Sequence, residues 1–320
     1  MDSQYKISAQ PCMAVTFSAD GTLLFACDAS GLLTVYGGQD GKPRRTCTIP
    51  KHTSSILSLS QDRFAVGGEK NCALYTHKEN WMLVHTIGGE NTPPVTDDDP
   101  SGPPVDAVLS LAFSPDGTHI ASGSGHASRS GEIKFWNVAD ASLTRCLVHP
   151  HSDTVVSLAF SRSGKLLASG STDRLAKIHD VTDGTTERTF EGHTGHVLGV
   201  AWQAHGRRLV TGGADTVVKV WDIQTGEQQR TIKGPSREVT NVGFIGEGDE
   251  FVATSGDATV RIFNVANGAS VRQLASPGDF VQSLAISGKT VTAGSQDGKI
   301  RIWNSAATAP LHTIEPSPNQ

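Results

Sequence analysis

The stretch Gly192-His193-Thr194-Gly195-His196-Val197, followed by Trp202 and closed by Val218-Lys219-Val220-Trp221-Asp222, decides how the chain is read, because its pattern returns about every 42 residues. Phe17, Phe113, Phe160, Trp202, Phe244 and Ile286 open matching segments, and from Phe160 onwards the step between them is constant. A second series runs in parallel. Tyr36, His179, Trp221 and Phe263 each follow their anchor at one fixed interval, whereas Trp136 follows Phe113 four places later than that and Trp303 follows Ile286 two places earlier. Self-similarity at a fixed period defines a repeat architecture, with the odd spacings as loop-length changes inside one unit.

Within each unit, apolar and polar residues alternate over four to seven positions and glycines punctuate them, which is the pattern of short half-buried strands. In the unit around Trp202 the strands are expected at about 197–202, 208–211, 217–221 and 228–232. The first turn of a unit is written Phe17-Ser18-Ala19-Asp20-Gly21 in one copy and Phe113-Ser114-Pro115-Asp116-Gly117 in another, with Gly supplying the positive φ of a tight turn. It decays to Ser163-Gly164, His205-Gly206 and Gly288 elsewhere. The four-residue excess between Phe113 and Trp136 is expected in a turn containing His126 to Ser130.

The Gly-His start, the Phe-Ser-Pro-Asp-Gly turn and the Trp-Asp end resemble the WD-repeat family over nearly the whole chain, most fully between Gly192 and Asp222. Seven units begin near Pro11, Lys51, Pro104, Pro150, Thr194, Ser236 and Gly278, the second being the most degenerate. The resemblance implies an all-β fold, a seven-bladed β-propeller of four-stranded antiparallel blades closed into a ring. Two segments could supply the outermost strand of the last blade: Tyr5 to Ser8 from the N-terminus, or Leu311 to Ile314 from the C-terminus. The spacing after Trp303-Asn304 favours the second.

The 320 residues are expected to form a single domain, since no linker divides the repeats, with a Pro/Asp-rich loop at about 90–104. Asp97-Asp98-Asp99 lacks the spaced ligands of a calcium loop. A net charge of −5, without basic clusters, argues against nucleic acid as the main partner. The absence of a long apolar run or export signal points to no membrane insertion and a cytoplasmic setting, or a periplasmic one if an upstream signal precedes this chain. Five cysteines without Cys-x-x-Cys spacing read as buried thiols, and no cofactor or metal is expected.

Twelve histidines allow many imagined metal sites, but the resemblance gives the important ones another role. In the family a Gly-His histidine, a second-strand Ser or Thr, an Asp in the next turn and the third-strand Trp form a hydrogen-bonded stack. His193, Thr211, Asp215 and Trp221 match it. His151, Ser169 and Asp173 match three of the four, but His179 stands in the Trp position and leaves that stack in question. The sixth unit has Pro235, Ala253, Asp257 and Phe263 and the seventh Pro277, Ala293, Asp297 and Trp303, so neither builds the full relay. Asp257→Ala is therefore expected to cost less stability than Asp215→Ala.

Gly288-Lys289-Thr290 ends like a phosphate loop, yet Ser283 replaces its first glycine and a strand pattern follows. No strand-to-helix nucleophile turn is present. The reading is a non-catalytic scaffold that holds a protein or peptide on its loop rim, with an enzyme hosted on a propeller as a remote alternative. Candidate contacts are Arg129, Asp153, Arg174, His196, Arg237 and Phe280, the last either projecting as an anchor or tucked under its blade. Trp81 to Gly89, the insert from Gly125 to Glu132, and His193 to Trp202 also resemble WD-repeat regions of planctomycete-type proteins that often carry a c-type cytochrome domain. That resemblance implies an accessory ring with a redox-domain partner, although this chain contains no Cys-x-x-Cys-His.

Overall fold

A computed structural model describes residues 10–49, 56–59, 63–68, 71–76, 83–88, 107–126, 130–275 and 278–315. These form seven four-stranded antiparallel sheets, each strand pairing with the next in the chain, arranged as the blades of a β-propeller. The expected Pro/Asp-rich loop at 90–104, Tyr5 to Ser8 and Arg129 lie outside the described residues.

Blade five shows why the sequence folds this way. Its strands are Val197–Trp202, Arg208–Gly213, Val218–Asp222 and Gln228–Ile232, within two residues of the expected limits. The two central strands are buried almost throughout, as suits a sheet covered on both faces. The outer strand exposes Gln228 to Thr231 and buries only Ile232. Blade four repeats this in Thr186–Phe190, where Phe190 alone is buried.

Apolar clusters fill the spaces between blades. Val210, Val218 and Val220 of blade five pack with Phe251, Ala253 and Phe263 of blade six, and Val252, Val260 and Ile262 of blade six pack with Val281, Val291 and Trp303 of blade seven. Close approach at the hub depends on a recurring glycine near the end of the second strand. A Cβ at Gly123, Gly170 or Gly212 would lie 2.8, 2.9 or 2.6 Å from Val155, Val197 or Val239 of the following blade. Larger side chains there would push the inner strands apart.

Ring closure follows the C-terminal alternative. His312–Ile314 pairs with Ile300–Asn304 as the outer strand of blade seven. Cys12, Val15 and Phe17 of blade one then pack with Ile300 and Ile302 of blade seven.

The insert of blade three departs from expectation. Its second and third strands run His119–His126 and Ser130–Asn137, and His126 pairs with Ser130, Gly125 with Gly131 and Ser124 with Glu132. The excess residues thus lengthen the ladder rather than the turn. Adding equal numbers to both strands keeps Trp136 opposite Ile120, so the side-chain alternation survives.

Candidate functional site

The rim is built by two sets of loops on one face, the turn between the second and third strands and the entry to each inner strand. Backbone hydrogen bonds tie them together in successive blades: Thr172 N to Thr154 O at 3.0 Å, Ala214 N to His196 O at 2.8 Å, Gly256 N to Glu238 O at 3.0 Å and Gln296 N to Phe280 O at 2.9 Å. Thr154, His196, Glu238 and Phe280 therefore occupy one equivalent position, each a single repeat step after the last. Asp153, Gly195, Arg237 and Asp279 precede them. Glu238 belongs to the candidate set and was missed, although strict use of the repeat step would have found it.

The described candidates differ in freedom. His196 and Arg174 are exposed, and Arg174 has φ of 72° at a turn position where blade seven uses Gly298. A long cationic side chain in the left-handed region is uncommon. Asp153 is engaged, accepting from Thr154 N at 2.7 Å. Arg237 has a side chain 59% exposed, 3.7 Å from the Glu238 carboxylate, and covers the Phe280 ring at 5.7 Å. Phe280 is half-buried, and a Cβ at Gly256 would meet its ring at 2.7 Å. Of the two placements, it takes the tucked one.

Beneath the rim, blade five carries the complete stack. His193 Nδ1 lies 2.9 Å from Asp215 Oδ1, His193 Nε2 lies 2.7 Å from Thr211 Oγ1, and Trp221 Nε1 donates to Thr211 Oγ1 at 2.9 Å. The carboxylate can only accept, so Nδ1 carries the proton and Nε2 accepts from the hydroxyl. Burial pushes the His193 pKa down, opposed only in part by Asp215.

Blade four completes its stack despite lacking Trp. His151 Nδ1 lies 2.8 Å from Asp173 Oδ2, His151 Nε2 lies 2.7 Å from Ser169 Oγ, and Ser169 Oγ lies 2.9 Å from His179 Nε2. Starting again from the carboxylate, Ser169 donates to His151 and accepts from His179 Nε2–H. His179 Nδ1 is then left to accept from Thr186 Oγ1 at 3.1 Å. A neutral imidazole thus replaces the indole N–H and gains an outer-strand partner. Burial, aided by His151 and Lys177, pushes His179 down to about 3. Burial also depresses His151 against the pull of Asp173.

Blades six and seven keep the Asp but change its partner. Asp257 accepts from Ser236 N at 2.8 Å, Thr259 N at 3.1 Å, the Thr259 hydroxyl, and Arg261 Nη1 at 3.0 Å. Although burial opposes ionisation, these donors bring Asp257 down to about 2. Asp297 accepts from Arg301 Nη2 at 2.9 Å and Ser295 Oγ at 2.5 Å. The expected ranking of Asp257 below Asp215 overlooked Arg261, whose position holds Lys219 in blade five.

The inner strands enclose a central channel of about 460 Å³. Its lining includes Ser110, Ser157, Thr240, Asn241, Gln282 and Ser283 among Leu and Val residues. Several are already bonded across blades: Ser110 Oγ donates to Val155 O at 3.3 Å, Ser157 Oγ accepts from Val200 N at 3.1 Å, and Asn241 Nδ2 donates to Gln282 O at 3.0 Å. Among the described residues, no group of three or more His, Cys, Asp or Glu could hold a metal ion, and no helix is long and apolar enough to cross a membrane.

Seven four-stranded blades, two of them held by complete hydrogen-bonded relays, define a β-propeller. The family description "WD domain, G-beta repeat" matches residues 101–137, 142–180, 184–222, 226–264 and 268–304, and the chain belongs to this WD40 family. Each matched segment spans the outer strand of one blade, or the residues leading from it, and three strands of the next, so the sequence unit bridges two blades. No curated protein matches the chain. Propellers of this family are commonly protein-interaction scaffolds and generally non-catalytic.

Proposed function

We propose that this chain is a non-catalytic scaffold that captures a protein or peptide partner across its rim, with Arg174, His196, Arg237 and Glu238 as the principal contacts. One observation carries the reading: the His, Ser, Thr and Asp groups of blades four and five that could do chemistry are engaged in blade-holding relays, whereas the equivalent rim positions display Thr154, His196, Glu238 and Phe280, four different chemistries on one backbone frame. A rigid ring with variable loops suits recognition. Phe280 supports Arg237 from below, and Asp153 shapes its own turn.

Capture from the native host followed by mass spectrometry identifies the partner. The triple variant Arg174→Ala, His196→Ala and Arg237→Ala then loses binding with little change in melting temperature, since exposed substitutions usually alter stability by about 0.5 kcal/mol or less. Undiminished binding moves the site to another face. A measured turnover abolished by His193→Ala in a folded protein overturns the non-catalytic reading.

A further inference from the structure

One outer-strand position does a similar job in six of the seven blades. It is occupied by His85, Arg145, Arg188, Arg230, Arg272 and His312, which pair in register with Leu74, Phe135, Ile178, Val220, Ile262 and Ile302. Each reaches the turn between the third and outer strands of the next blade. Arg145 donates to Asp183 O at 2.8 Å and Thr182 O at 2.6 Å, Arg188 to Gln224 O at 2.9 Å, and Arg272 to Ser305 O. His85 Nε2 bonds Ala139 O at 3.0 Å, and His312 Nε2 bonds Gln39 O at 2.8 Å. Arg230 lies over Gly268, its Cδ 3.5 Å from where a Cβ would stand.

Every junction but one is also joined by the chain itself, which passes from each outer strand into the next blade. Blade seven meets blade one without that link. Its outer strand, His312–Ile314, has three residues. Its latch, like that of His85 in blade two, is one imidazole on one carbonyl, where Arg145 uses two nitrogens on two. An open groove of about 520 Å³ runs along the seam, lined by Val15 to Ala19 and Leu284 to Gly288. Thr292 Oγ1 is buried without a hydrogen-bond partner among the described residues, and the Ser283 hydroxyl has none there beyond the Cys12 thiol. Thr292 stands opposite Ala285 and Ile302, which pack towards blade one, and Ser283 stands beside the weakly donating Cys12 thiol. Unpaired buried hydroxyls lower the cost of admitting water.

We propose that the seam between blades seven and one is the point at which the ring opens, with His312 as its catch. Hydrogen exchange followed by mass spectrometry on the full chain tests this. Amides of Cys12–Phe17 and Val281–Ser287 exchange faster than those of Val197–Trp202 and Val239–Phe244. His312→Ala accelerates the first pair a further fivefold or so, the loss of about one hydrogen bond, while His312→Arg slows it. Arg188→Ala leaves it unchanged.

A second probe joins the blades directly. A Cβ at Gly21 would lie 3.4 Å from Ser287 Cβ, close to disulfide distance. In the variant Gly21→Cys with Ser287→Cys, oxidation slows exchange of both seam strands relative to the reduced form, and strain from the substitutions is common to both forms. Equal protection of all four strands in the wild type, or seam exchange unaffected by closing the disulfide, overturns the proposal.

Discussion

Blades five and seven carry the same third-strand Trp and the same turn Asp, yet use them differently. In blade five, Trp221 Nε1 donates to Thr211 and Asp215 holds His193. In blade seven, Ala293 replaces the hydroxyl, Trp303 Nε1 is buried without a partner among the described residues, and Asp297 turns to Arg301. The Asp is therefore versatile, because a carboxylate in a turn can recruit any nearby donor. The indole is not, because its single N–H points at one position of the neighbouring strand. Three buried atoms of blade seven, Gln282 Oε1, Thr292 Oγ1 and Trp303 Nε1, have no hydrogen-bond partner among the described residues.

The largest effect expected from this contrast is at Thr211, whose hydroxyl serves both His193 and Trp221. Thr211→Val keeps the shape and orphans two buried groups, costing about 2 to 4 kcal/mol in denaturant unfolding, whereas Ala293→Val in blade seven removes no hydrogen bond. A small loss at Thr211 would mean that the relay adds little to packing.

Next come the two aspartates. Asp215→Ala and Asp257→Ala should each cost about 1 to 3 kcal/mol, since the first strands an imidazole and the second a guanidinium. Comparison of their denaturant midpoints checks this. A much smaller loss for Asp257 would restore the ranking that sequence alone suggested.

Acid should separate the blades. The folded pKa values of His151 and His193 lie below the ordinary 6.5, so between the two values the unfolded chain binds more protons. The stability they provide is present above about 6.5 and is lost as pH falls from there. His151 faces Asp173, Lys177 and His179, and His193 faces Asp215 and Lys219, so the neighbouring Lys residues add to the penalty on a second positive charge. Asp257, depressed to about 2, contributes stability above the usual 3.8 and loses it only towards that lower value. Hydrogen exchange at pH 5, corrected for intrinsic rates, should loosen blades four and five before blade six. The reverse order would contradict the neutral-imidazole assignment.

The smallest effect is a gain. Ala293→Ser offers Trp303 Nε1 an acceptor and should stabilise the protein by up to about 1 kcal/mol, reduced by the hydroxyl's own need for an acceptor. A loss in the midpoint would show that blade seven has repacked around the alanine.

Much of this arrangement was legible in the residues. The constant repeat step, the Asp-Gly turns and the alternation of apolar side chains specify four strands per blade, because each is a local requirement of backbone and burial. His193, Thr211, Asp215 and Trp221 were readable as a set because they occur in the fullest copy of the repeat. Degenerate copies concealed their substitutes. Nothing local to His179 shows that an imidazole can take the place of the indole, and Arg261 becomes a partner for Asp257 only when the strand places it beside the turn.

By itself, the sequence determined the number of blades and the four-stranded make-up of each, since those follow from the period of the chain and the pattern within each repeat. Tertiary structure decided which residues of different blades meet. The tucking of Phe280 beneath Arg237, the extended ladder at His126 and Ser130, and the hold of His312 on Gln39 at 2.8 Å depend on neighbours that the chain reaches only after folding. His312 and Gln39 lie 273 residues apart, and only closing the ring brings the imidazole to the carbonyl.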